Sequence, residues 1–182
     1  MNVLIRPYHL DDAEAVVEAV RESIAELQPF MPWCHPAYSL ADSRAWLEIQ
    51  VPAFDLGTAF EFAIVEAEGR YLGGCGLNQV DKANKRANLG YWVRSSATRQ
   101  GAATAAVCKI RDWAFQTTDL IRLEIVVAVG NLASHRVAEK VGAVREGTLH
   151  RRILLHGAAR DATMFSLTRD IPISQNRAGG EA

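Results

Sequence analysis

Cysteine is scarce in this chain, with three among 182 residues. Cys34, Cys75 and Cys108 lie far apart, without the spacing of a disulfide framework or a thiolate metal site. They read as reduced, partly buried thiols, and no metal is implied. No stretch approaches the roughly 18 apolar residues of a membrane span, and residues 1–6 carry no long apolar run of a signal peptide. The chain is therefore read as cytoplasmic, with no membrane partner. Neither sign of charge dominates: 20 basic residues face 21 acidic ones, for a formal net charge of -1. That balance argues against a general attraction to nucleic acid, because phosphate backbones select strongly basic surfaces. Two nucleotide signatures, Gly-x-x-x-x-Gly-Lys-Ser/Thr and Gly-x-Gly-x-x-Gly, are also absent, which disfavours an ATP- or NAD-binding fold.

What is present is ordinary globular composition, 49% apolar and 23% charged, enough for one domain with a sizeable core. A single domain over residues 1–171 is expected, with a loose, glycine-rich tail over 172–182. Val3-Leu4-Ile5 makes a short strand, after which Asp11 or Asp12 can cap a helix bearing Val16, Val20 and Leu27 at helical spacing. Pro29, Pro32 and Pro36 break regular structure around Phe30, Met31 and Trp33. The resulting aromatic segment either lines a pocket or covers the core from outside. A second helix opens at Ser39 or Ser43 and runs to about Phe54. The stretches 60–65 and 71–77 form a hairpin, whose glycines suggest a bulge or a close neighbouring backbone. With Leu89-Gly90-Tyr91-Trp92-Val93 they make a meander of three strands.

That last strand runs abruptly into Ala97-Thr98-Arg99-Gln100-Gly101-Ala102-Ala103-Thr104, and a helix follows to about residue 117. A helix start exposes unpaired backbone N–H groups and a partial positive charge, and here only glycine and alanine cover it. Either an anionic group sits on those amides, or the small residues let the helix pack closely on the sheet. Residues 121–127 then give a branched strand, parallel to the 89–93 strand by a right-handed crossover. A short helix from Asn131 stops at Gly142, and two closing strands over about 143–155 and 161–168 form a hairpin. Its exposed edge could pair two copies into a homodimer.

This order of elements, with Leu-Gly-Tyr-Trp-Val at 89–93, Gly101-Ala102-Ala103-Thr104, and Asn131-Leu132-Ala133-Ser134 running to Gly142-Ala143, resembles the GNAT N-acetyltransferase family, closest to its RimJ/RimL-type branch. The resemblance implies an α+β fold with a mixed, mostly antiparallel sheet of six or seven strands. That sheet would splay at a central parallel pair and be flanked by about four helices. It also implies acetyl-CoA as co-substrate and direct transfer of acetyl to a primary amine, either a protein N-terminus or a small molecule such as a polyamine. A non-catalytic acyl-CoA sensor is the rival.

The family's phosphate motif, Gln/Arg-x-x-Gly-x-Gly/Ala, falls on residues 98–103. Thr98 departs from its first position and brings no cation, which leaves Arg94, Arg99 or Gln100 to assist. Arg99 stands where many relatives carry a second glycine. By the same resemblance, backbone groups of Tyr91, Trp92, Val93 and Arg94 meet the pantetheine arm, joined by Asn131, and Ser134 reaches the thioester sulfur. No residue announces itself as the base. Glu124 and Glu61 are the carboxylate candidates, His35 and His135 find no support, and water-mediated deprotonation stays open. Trp33, Glu61 and Trp92 are the candidates for the acceptor side.

Overall fold

The computed structural model describes residues 2–169, and the tail read over 172–182 lies outside them. Strand β1 (Val3–Pro7) is followed by a 3-10 turn at Leu10–Asp12 and helix α1 (Ala13–Glu22). Asp12 takes its place in that turn through Arg6, whose guanidinium donates to both carboxylate oxygens at 2.6 and 2.8 Å. Ser23 then interrupts the helix, so that Leu27 falls on a separate short helix, α2 (Ile24–Leu27). The Ser23 hydroxyl donates back to the Ala19 carbonyl at 2.7 Å and accepts from the Ser95 amide at 2.9 Å. A mid-helix serine bonded this way bends or breaks the helix.

After the proline-rich segment, α3 (Leu40–Asp55) is capped at Ser39 by a reciprocal arrangement with Asp42. Ser43 is buried inside the helix and donates to the Tyr38 hydroxyl. Strands β2 (Phe60–Glu66), β3 (Tyr71–Asp81) and β4 (Arg86–Val93) come next, then a 3-10 turn at Ser95–Ala97 and helix α4 (Ala102–Thr117). The chain continues through β5 (Arg122–Ala128), α5 (Leu132–Lys140), β6 (Val144–Leu155) and β7 (Ala158–Thr168).

The seven strands form one sheet in the order β1-β2-β3-β4-β5-β7-β6. The meander is one strand longer than the sequence suggests, because β1 returns to pair antiparallel with β2. A bulge does occur in the hairpin, between Ile64 and Val65 opposite the glycines of β3. Helices α4 and α5 cover one face, burying Ala106, Val107, Ile110 and Ala138 against Phe62, Ile64, Leu89, Leu123 and Ile125. Helices α1 and α3 cover the other, with Val16, Ala19, Val20 and Leu47 against Ala63 and Val65. Among the described residues no helix is long and apolar enough to cross a membrane, and none of the three cysteines is bonded to another.

Candidate active site

The one parallel pair of the sheet is short. Strands β4 and β5 are in register only over Arg86↔Arg122, Ala87↔Leu123 and Asn88↔Glu124, and beyond that they separate. Each strand keeps its antiparallel partner on the far side, so one edge of each is left open at the centre of the sheet. The Arg94 amide donates to the Leu72 carbonyl of the β3 side. Strand alternation then turns the main-chain groups of Leu89, Tyr91 and Val93 towards β5. Likewise the Val129 amide donates to Asp161 and the Ile121 carbonyl accepts from Arg169, both on the β7 side. Val126 and Ala128 therefore present their main chain to β4. Of the four residues 91–94, Tyr91 and Val93 are the ones with free backbone edges; Trp92 pairs with β3, and Arg94 donates its amide to Leu72 and accepts the Ala97 amide at its carbonyl.

The stretch after β4 ends in a bare helix start. Arg99 and Gly101 both adopt positive φ, 60° and 83°, and Gly101 caps α4 with no side-chain bond. The amides of residues 99–104 have no acceptor among the described residues. Gln100 turns its side-chain amide back onto the Ser96 carbonyl at 2.7 Å. Arg94 is a correction to the sequence reading. Its buried guanidinium is engaged by Glu22, Glu18 and the Tyr71 carbonyl, so its charge is already paired within the fold. Arg99 is the cation left beside the turn.

At the opposite wall, the Asn131 side-chain oxygen accepts the Ser134 amide at 3.1 Å and so caps α5, which leaves the Asn131 side-chain NH2 without a partner among the described residues. The Ser134 hydroxyl lies 2.8 Å from the Tyr91 hydroxyl, and Tyr91 also reaches the Ser134 carbonyl at 3.0 Å. Burial pushes the Tyr91 phenol up to about 12, against the opposing effect of its bond to Ser134. From the sequence Tyr91 reads as a main-chain contact only; its side chain ties β4 to α5 across the opening.

A cavity of about 810 Å³ lies between the open strand edges and the start of α5; Val93, Arg94 and the turn of residues 99–104 are not part of its lining. Its lining includes Tyr91, Trp92, Val126, Ala128, Asn131 and Ser134 from the opening. Trp33 and Glu61 line it as well, so the acceptor-side candidates do come together; the Trp33 and Trp92 rings are 5.8 Å apart. The aromatic segment around Trp33 lines a pocket rather than merely covering the core.

Glu124 does not reach the cavity. Arg122 donates to one of its oxygens at 2.9 Å and Arg86 to the other at 3.1 Å, at the closed end of the strand pair. With both oxygens engaged by arginines and no face on the cavity, Glu124 has no approach to an acceptor amine, which corrects its tentative catalytic placement. Glu61 is different: burial pushes its carboxyl up, and its one partner among the described residues is the Asn78 side-chain amide at 3.4 Å. Asn88 in turn donates to Asn78 at 2.9 Å. Neither asparagine was singled out from the sequence, although asparagine inside a strand is uncommon enough to be a signal. Among the described residues no cluster of three or more His, Cys, Asp or Glu could hold a metal.

A sheet opened at its central parallel pair, with bare strand edges beside an uncapped helix start, is the architecture of an acetyl-CoA-dependent N-acetyltransferase. The chain belongs to the acetyltransferase (GNAT) domain family, whose sequence profile matches residues 2–144. YdaF of Bacillus subtilis, provisionally named a ribosomal N-acetyltransferase, is 28% identical over 172 residues, 92% of each chain. The ribosomal-protein-serine acetyltransferase of Escherichia coli is 29% identical over 140 residues, covering 77% of this chain and 78% of that one. RimJ of Mycobacterium smegmatis, solved with a coenzyme A disulfide, superposes with a TM-score of 0.82 at 29% identity, over 91% of this chain and 81% of its own. The protein is an acetyl-CoA-dependent acyltransferase that acts on a primary amine.

Proposed function

We propose that the acceptor is the α-amine of a protein N-terminus, and that residues 1–171 carry the reaction as one domain. The observation behind this is the single cavity in which Ser134, Glu61 and an aromatic wall adjoin the open edges of β4 and β5. Donor binding uses the unpaired main chain of Tyr91, Val93, Val126 and Ala128 along the pantetheine arm, in the manner of strand addition. The diphosphate rests on the amides of residues 99–104, with Arg99 adding charge. The free side-chain NH2 of Asn131 serves the arm, and the Ser134 hydroxyl gives its proton to the leaving sulfur. Tyr91 holds that hydroxyl in place.

Two relatives named for ribosomal proteins favour a protein acceptor, as does a wall of Phe30, Trp33 and Trp46 that suits the side chains of an extended peptide. A small cationic amine is the second reading, favoured by Asp42 and Glu61 on the cavity wall. The three free thiols suit the cytoplasm, and the exposed strand β6 offers an edge on which a homodimer could pair.

Release of coenzyme A thiol, measured with peptides bearing free or blocked N-termini and with spermidine, tests the proposal. Turnover of free-amine peptides alone is the expected result; turnover of spermidine alone would select the second reading. Ser134→Ala should keep coenzyme A affinity and lower turnover by about 100-fold. Binding with no turnover of any amine would identify a sensor instead.

A further inference from the structure

Glu61 of β2 lies in a row with Gly76 of β3 and Gly90 of β4. Directly paired residues of an antiparallel sheet turn to the same face, so the carboxylate and both glycine hydrogens look towards α1 and α3. A Cβ at Gly76 would stand 1.8 Å from Glu61 Oε2, so the carboxylate occupies the room that any larger residue would need. A Cβ at Gly90 would meet nothing nearer than the Asn78 side-chain nitrogen at 4.0 Å. Neighbouring strands run about 4.8 Å apart. Past Gly76 a single strand width, bare of side chains, therefore separates the carboxylate from Gly90 of β4, whose far edge borders the opening. That bare floor is the path on which an acceptor nitrogen, joined to Glu61 directly or through one water, approaches a thioester carbonyl held in the opening.

We propose that Glu61 takes the proton of the acceptor's ammonium group over the glycine floor of Gly76 and Gly90, with Asn78 and Asn88 as its positioning residues. The proposal rests on the acetyl-transfer reading above. The ammonium N–H bond breaks and its proton passes to the Glu61 carboxylate. The freed lone pair forms the C–N bond, and the carbonyl electrons move to oxygen. When they return, the C–S bond breaks with its pair on sulfur, which takes the Ser134 proton. The nitrogen's second proton replaces the one Ser134 gave. Glu61 then releases its proton to water, so one amide, one thiol and one free proton are the products.

The charged and titratable groups around Glu61 leave it without a fixed cation. Tyr8 and Cys75, the groups that couple to it, are both pushed up by burial and stay neutral. Asp42 of α3, His35 of the proline segment and Arg152 of β6 line the same cavity without bonding to it. A buried carboxylate raised in this way costs stability as pH rises past its ordinary value, since the unfolded chain gives up the proton first.

The test compares wild type, Glu61→Gln, Asn78→Ala and Gly90→Val. It uses acceptor kcat/KM as a function of pH, coenzyme A affinity by calorimetry, and melting temperature. Glu61→Gln should lose about 100-fold or more in kcat/KM together with the acid limb of the profile. Its coenzyme A affinity should be unchanged, and its melting temperature at neutral pH equal or higher. Asn78→Ala removes a bond that favours the carboxylate, so its acid limb should move to higher pH. Gly90→Val should block the acceptor and spare the coenzyme. Glu61→Gln with turnover near wild type, or with coenzyme affinity lost in step with turnover, would overturn the assignment. A wild-type chain that binds coenzyme A and acetylates no amine would overturn the acetyl-transfer reading and this proposal with it.

Discussion

Arg94 shows how a residue's partners decide its work. Its side chain is 7% exposed, and its bonds to Glu18, Glu22 and the Tyr71 carbonyl join α1 to the stem of the turn that precedes α4. Glu22 also accepts the Ser96 amide at 2.7 Å. The bond from Arg94 is the main reason that Glu22 is held down to about 2. A depressed carboxylate contributes stability that is complete above its ordinary pKa near 4.5 and disappears as pH falls through about 2. Arg94→Met should therefore lower stability by about 1–3 kcal/mol at neutral pH. In urea unfolding, its deficit against wild type should shrink as pH falls towards 2. A deficit constant with pH would place the loss in packing alone. From the sequence, Arg94 reads as a phosphate cation because it sits just before the phosphate turn; its acidic partners are 72 and 76 residues away, beyond any local signal.

At the scale of elements, the site depends on how few rungs join β4 to β5. The order of strands and helices was legible because each carries its own period, and because Gly101, Asn131 and Gly142 mark ends that local chemistry enforces. Two features were not legible. At the break after Glu22, the Ser23 hydroxyl that bonds back to Ala19 also accepts the Ser95 amide, and the Glu61-Asn78-Asn88 chain runs across three strands; the Ser95 contact and the chain both require the tertiary register. The closed end of the strand pair is bound by Glu124, which bridges Arg86 of β4 and Arg122 of β5, while Arg122 also reaches Glu146 of β6 at 2.6 and 2.7 Å. Glu124→Gln should cost about 2 kcal/mol in stability, by the worth of hydrogen bonds to charged groups. Its acceptor kcat should stay within about threefold of wild type, because the carboxylate fastens the strands and does not touch the reacting atoms. A loss of about 100-fold with stability intact would return Glu124 to the role of base.

For the molecule as a whole, the two faces of the sheet divide the labour. Tyr91, Ser134 and the start of α4 belong to the side covered by α4 and α5; Glu61, Trp92 and the proline segment belong to the side covered by α1 and α3. On the proposed reading, the donor's sulfur and the acceptor's nitrogen meet through the opening between β4 and β5, each attended by groups from its own side. The central claim is that unpaired main-chain amides hold the coenzyme, and amide hydrogen exchange reads those groups directly. On adding coenzyme A, protection should rise at residues 99–104 and at Tyr91, Val93, Val126 and Ala128, while the antiparallel partners in β3 and β7 change little. Saturating binding that leaves exchange at these amides unaltered would contradict the account.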